Sequence, residues 1–275
     1  DGTNGCFNVF LGACAGKEVT SGSSNVFLGK YAGQCSTSAN CNVAIGFQAL
    51  FDNPSGKWTV AIGSGAGRNY DGSTGCNVFI GKDAGYGNGS GTTDGVNNIA
   101  IGLAAGRNFK GGDNNIFLGC YSGRQITTGG NNTFIGNEAG CSVTTGNNSI
   151  AIGYNALKTN TNPSAVVSIG YLSAQNVTSD GGVYIGGAAG RCACDGSLNT
   201  FIGCSAGRSS ATVSSNTGSE NVFIGACAGY GMSAGKKNTI IGNLAGLDLS
   251  TGCCNVFLGY QAGNTNTTGS KNVAI

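Results

Sequence analysis

The feature that most constrains this chain is a period. The run Asn8-Val9-Phe10-Leu11-Gly12 returns as Asn25-Val26-Phe27-Leu28-Gly29 and again as Asn42-Val43-Ala44-Ile45-Gly46. Its closing glycine recurs at Gly63, Gly81, Gly102, Gly119, Gly136, Gly153, Gly170, Gly186, Gly203, Gly225, Gly242 and Gly259, and a sixteenth copy opens at Asn272. Ten of the fourteen intervals between these glycines are 17 residues, and the others are 18, 21, 16 and 22. A fixed period of this size marks an architecture of stacked units, none of which can bury its apolar face alone. The period covers 1–275, which predicts one repeat array and no second domain.

Each copy has the same grammar. The residue before the glycine is Leu or Ile in all sixteen copies, and two places earlier stands Val, Ile or Thr. These two positions share one face of a short strand, and the expectation is that this face lines the interior. Three residues after the glycine comes Ala or Ser, small enough to let a second wall approach. The next residue is Gly in twelve of fifteen copies, with Leu50, Leu157 and Ala174 as the exceptions. Gly, Ser, Thr and Asn fill the remainder, which is turn chemistry. The predicted fold is all-β: a parallel β-solenoid, or β-roll, of about 16 coils of 17 residues. A helical reading fails, because no 3.6-residue apolar period appears. The 52 glycines would also each cost about 1 kcal/mol in a helix.

Two further columns follow from the repeat. Asn opens twelve of the sixteen copies, and a ladder of side-chain amides accounts for it better than a ligand-binding row. Between the Val and Leu positions sits a column of Phe10, Phe27, Phe79, Phe117, Phe134, Tyr184, Phe201, Phe223, Ile240 and Phe257, with Ala or Ser elsewhere. Strand alternation sets it opposite Val9 and Leu11, hence outside the coil. Bare to water, each large side chain would forgo about 1.5–3 kcal/mol. This column is therefore expected to be buried against other copies of the chain, most simply around a threefold axis. Coverage by the coil's own turns is the alternative.

Little in the composition points to chemistry. There is no His, so the usual general base and the commonest metal ligand are missing. Twelve carboxylates over sixteen copies form no paired-acid column. The run Gly63-Ser64-Gly65-Ala66-Gly67-Arg68 lacks the spacing of a phosphate loop. The Asp-Gly pairs at Asp71, Asp94, Asp180 and Asp195 lack the nonapeptide spacing of calcium-binding β-rolls. No catalytic, cofactor-binding or metal residue is expected, and no enzyme activity. A net charge of +2 with 14 scattered Lys and Arg argues against nucleic acid as a partner. The chain has no run of 18 apolar residues, so no membrane insertion is expected.

Thirteen cysteines suggest an oxidising home, extracellular or at a cell surface. Cys192, Cys194 and Cys204 make a weak metal set without His or a Cys-x-x-Cys pair. Disulfides are the better expectation, with Cys35–Cys41 and Cys204–Cys227 as candidate bridges. Sequons stand at Asn88, Asn131, Asn147, Asn176 and Asn266. The chain opens at Asp1 and stops inside a motif at Ile275, which reads as a segment of a longer fibre.

The runs Asn-Val-Phe-Ile-Gly-x-x-Ala-Gly and Ser149-Ile150-Ala151-Ile152-Gly153-Tyr154-Asn155-Ala156-Leu157 resemble the head repeats of trimeric autotransporter adhesins and related repeats of phage tail fibres. The resemblance spans every copy. It implies a trimer of left-handed parallel β-rolls that projects from a surface and binds matrix or receptor. The 17-residue period, the cysteines and the lack of a stalk or anchor depart from that family. The functional expectation is a structural or adhesive extracellular fibre segment. Its partners would be copies of itself, as a trimer or an end-to-end filament, and a cell-surface or matrix receptor. The alternative is a surface-recognition solenoid, either ice-binding or a receptor-binding tail-fibre module. Ice binding would need a ladder of paired Thr, and Thr144-Thr145 and Thr267-Thr268 do not recur on every coil.

Overall fold

The computed structural model describes residues 5–70, 75–87, 95–193, 195–209 and 217–275. The chain is an all-β parallel solenoid, with no helix among the described residues. It divides into two compact units, Asp1–Gly146 and Asn147–Ile275. The first holds β1 (Val9–Leu11), β2 (Val26–Leu28), β3 (Val43–Ile45), β4 (Val60–Ile62), β5 (Val78–Ile80), β6 (Ile99–Ile101), β7 (Ile116–Leu118) and β8 (Thr133–Ile135). The second holds β9 (Ile150–Ile152), β10 (Val167–Ile169), β11 (Val183–Ile185), β12 (Thr200–Ile202), β13 (Val222–Ile224), β14 (Thr239–Ile241), β15 (Val256–Leu258) and β16 (Val273–Ala274).

Within each unit every strand pairs in parallel with the next copy of itself, motif position on motif position, as in Val26↔Val43 and Val222↔Thr239. The long intervals do not disturb this register: Val78 still pairs with Ile99 and Thr200 with Val222. Extra chain length between rungs is therefore accommodated without shifting the pairing of the flanking strands. Outside the strands the backbone continues the ladder. The Tyr31 amide donates back to the Ala13 carbonyl at 2.9 Å, and the Gly33 amide donates forward to Ala49 at 2.9 Å.

The inward face of the strand is the reverse of the one expected. Phe27, Phe79, Phe117, Phe134, Phe201 and Phe223 are 0–1% exposed, as are Ala44 and Ala151. The flanking Val and Leu/Ile columns look outward, and Ile62, Ile101, Ile224 and Ile241 keep 36–38% of their surface. The Phe column thus needs no second copy to cover it, and the threefold packing inferred from it loses its basis. The reason lies across the coil. The wall facing the strand is Ala32, Ala49, Ala66 and their equivalents, buried in every rung but the outermost, where Ala15 and Ala262 are half-buried, and between two such close walls one large side chain fits per rung.

Complementary volumes fix which one. All ten copies with a large residue in the Phe column carry Gly six positions later. Gly33 shows why: a Cβ there would lie 2.4 Å from the Phe27 ring. Where the column shrinks to Ala44 or Ala151, the same position grows to Leu50 or Leu157, both fully buried. Ala61 and Ala100 retain Gly67 and Gly106, and neighbouring rungs fill the room. Leu50 and Phe79 reach toward Gly67, and Phe117 toward Gly106. A further inward column varies freely in size, from Ser36 to Tyr70, Phe109 and Ile126.

The motif glycine closes the strand with a corner. Gly29 has φ +130°, and a Cβ on it would sit 2.6 Å from the Gly46 carbonyl of the next rung. Rungs at hydrogen-bonding distance therefore leave no room for a side chain. Two other positions per coil take positive φ without glycine, as at Tyr31 (63°), Gln48 (55°), Cys41 (56°) and Trp58 (52°). Each costs about 1–2 kcal/mol for an L-residue, which the inter-rung hydrogen bonds offset.

Candidate functional site

The asparagines build the most regular polar feature of the molecule, and it is internal. Asn115 is fully buried. Its Oδ1 accepts from the Asn132 backbone N at 3.0 Å and from Asn132 Nδ2 at 3.1 Å. Its own Nδ2 donates to Asn98 Oδ1 at 3.1 Å and to the Gly129 carbonyl at 2.9 Å. The same pattern runs through Asn25 and Asn42, and through Asn221, Asn238 and Asn255. Both ends of each amide are taken by protein, so the row fastens rungs and has nothing left to offer a ligand. Thr59 continues it in part, its amide donating to Asn42 Oδ1 at 2.9 Å. Gly182 leaves the slot vacant, and the ring of Tyr184 takes the space: a Cβ on Gly182 would lie 2.6 Å from Tyr184 Oη. Burial of that phenol pushes its pKa up to about 12, partly offset by Asn199 and Ser179.

The described thiols lie outside the interior. Cys35, Cys41, Cys204 and Cys227 are unbridged, so neither candidate disulfide forms in the structure. Cys35 and Cys41 stand at different corners of one coil. Cys204 and Cys227 are adjacent along the ladder, through the Cys227 amide on the Cys204 carbonyl at 2.8 Å, but occupy different rung positions. Burial, then the charges of Glu18 and Asp52, raise the Cys35 thiol pKa. Cys194 and Asn88 lie outside the described residues. No three thiol or carboxylate groups converge among the described residues, and no concave pocket forms among them. Of the sequons, Asn131 and Asn147 are exposed, whereas Asn176 and Asn266 are half-buried.

Two surface features remain. One is the outward face of the ladder, a pair of largely aliphatic columns in each unit, with Thr133, Thr200 and Thr239 as the polar exceptions. The other is a charged column that the sequence reading missed. The residue five places after the motif glycine is Lys17, Arg68, Arg107, Arg124, Lys158, Arg191 or Arg208 in seven copies. Seven of the fourteen cations, and all five arginines, occupy this one position, and none of the twelve carboxylates does. Phe51, Tyr86 and Tyr230 hold it in three other copies. Stacking threads them together: the Arg68 guanidinium lies 5.5 Å from the Phe51 ring and 5.7 Å from that of Tyr86. Arg107 caps Tyr86 at 5.8 Å, and in the second unit Arg208 covers Tyr230 at 5.7 Å. Counting cations along the chain made them look scattered; aligning them by their distance from the motif glycine reveals the column.

Fold and surface together define a β-solenoid repeat protein whose polar and apolar residues recur by rung. No family model, curated protein or solved structure matches the chain.

Proposed function

We propose that this protein is a structural fibre module, acting outside the cell, whose rungs extend by stacking on further rungs. One observation carries the reading: the same interior recurs from rung to rung, so each rung is a template on which the next can stack. Phe10 in β1 is 39% exposed, against 0–1% for its equivalents within the stack. Here another rung, from a second copy or from further sequence of the same protein, would pair the free strand edge and bury the ring. The similarity of the motif to adhesin-head and tail-fibre repeats supports the same role. Rung addition replaces threefold packing of the Phe column as the physical route to assembly.

Light scattering and negative-stain microscopy test this directly. The chain is expected to form end-on oligomers or rods whose length grows with concentration. Phe10→Asp, which puts a charge on the open edge of β1, is expected to shorten them. A monodisperse monomer at high concentration, unchanged by this substitution, rules out self-stacking.

A further inference from the structure

We propose that the arginine column is a binding stripe for a linear acidic polysaccharide. The inference is independent of fibre assembly, since each unit carries its own stretch of the column. Three observations support it. The first is placement. All five arginines share one rung position, although many other exposed positions in each coil would serve solubility equally well. The second is their unpaired state. Among the described residues none of Arg68, Arg107, Arg124, Arg191 and Arg208 pairs with a carboxylate. Arg68 Nε, shielded from solvent, has no acceptor. The third is preorganisation. The rings of Phe51, Tyr86 and Tyr230 hold the guanidiniums in place, and Arg191 Nε is held by Gln175 Oε1 at 3.0 Å. A fork fixed in advance loses little entropy on meeting a carboxylate or sulfate.

The geometry favours a glycan over other polyanions. Arg107 and Arg124 stand on successive rungs, about 4.8 Å apart along the ladder, and so do Arg191 and Arg208. Uronate or sulfate groups on successive sugars recur at a comparable rise, so one straight chain can run along the ladder and meet the cations that stand on seven of the fifteen rungs. Single-stranded nucleic acid binds instead by stacking its bases on open aromatic faces. Here arginines already cover faces of Tyr86 and Tyr230. With a net charge of only +2, the chain also lacks the broad field that gathers phosphates.

The test measures retention on immobilised heparin, with polygalacturonate, neutral dextran and a thymidine oligonucleotide as competitors at fixed ionic strength. The sulfated and the carboxylated glycan distinguish which acid group is preferred. The intact chain is expected to bind a charged glycan, to release it with rising salt, and to ignore dextran. Arg107→Gln with Arg124→Gln, and Arg191→Gln with Arg208→Gln, are each expected to weaken binding by about tenfold or more. Lys236→Gln with Lys271→Gln removes the same charge outside the column and is expected to change affinity by less than about twofold. Replacing the same arginines by Lys keeps the charge without the fork and is expected to give intermediate affinity. Circular dichroism of each variant checks that the sheet persists; if a Gln pair unfolds, the Lys pair decides. Absence of glycan binding overturns the proposal. So does equal loss in the Lys236/Lys271 variant, or tighter binding of the oligonucleotide.

Discussion

The exchange of volume between Phe27 and Gly33 makes the sharpest test of how this interior is built. Phe27 is fully buried and stacks on Phe10 at 5.1 Å between ring centroids. Truncation to Ala removes the buried ring and leaves a cavity, and such changes cost about 3–5 kcal/mol. Gly33→Leu alone is also destabilising. Its Cβ would sit 2.4 Å from the ring, at a φ of +55°. The backbone term is about 1–2 kcal/mol, and overpacking adds about 1–3 kcal/mol. Combined, the two changes recreate the arrangement at Ala44 and Leu50, where a leucine holds φ +45° and is fully buried. The double variant should therefore lose only about 1–2 kcal/mol, the backbone term, far less than the sum of the single losses. Denaturant midpoints followed by circular dichroism, with amide exchange at β2 and β3 to localise the effect, supply the double-mutant cycle. Additive losses would show that the two positions do not share one space.

Three further outcomes follow from the same structure. Asn115→Leu strips partners from Asn98, Gly129 and Asn132; at about 1–3 kcal/mol per orphaned buried group, shared among neighbours, it should cost about 3–5 kcal/mol. Faster amide exchange at Ile116 and Thr133 would place the loss. Tyr184 predicts an alkaline limit: burial pushes its pKa up to about 12, above the ordinary phenol value of 10.0. The stability it contributes is complete below pH 10 and lost as pH rises through 12, about 2–3 kcal/mol in all. Because burial outweighs what Asn199 and Ser179 offer the hydroxyl, Tyr184→Phe should be close to neutral at pH 7 and should raise the midpoint of alkaline unfolding. Finally, Cys35, its thiol raised by burial and by Glu18, should alkylate more slowly at pH 8 than exposed Cys41, and Glu18→Gln should speed it; peptide mass spectrometry reads both.

The architecture was legible in the sequence because each rung repeats the same constraints: a glycine corner, a small residue opposite, an amide at the start. Which face of the strand turns inward was not, although the signal is present. Asn8 and Phe10 lie two apart and share a face, so a buried amide ladder and an outward Phe column are mutually exclusive. The near-invariant Leu/Ile position misled because constancy was read as burial in the interior. The reciprocity of Phe with Gly, and of Ala44 with Leu50, points the other way. The arginine column escaped for a different reason. Charge was weighed by its sum and its runs along the chain, whereas a solenoid brings together residues that are seventeen apart.

Why the outward columns hold Leu, Ile and Val at all but three positions, Thr133, Thr200 and Thr239, if no core receives them, has an answer in the stack itself. Leu11 in β1 has a neighbour on one side only and is 70% exposed; Ile62, with a rung on both sides, is 36% exposed. A second neighbour thus hides roughly a third of the side chain's surface, and the covering atoms belong to the same column one rung away. At about 25 cal/mol per Å² of apolar surface, this stabilises each added rung by a fraction of the value of a buried side chain, repeated on two columns. The term needs no partner protein, and it is largest where one aliphatic residue lies directly over another. That is the selection a repeat imposes: a polar residue on the outer face would cost its own rung little, yet would uncover the rungs on either side. The same argument explains why each rung gains more than hydrogen bonds from the rungs on either side of it.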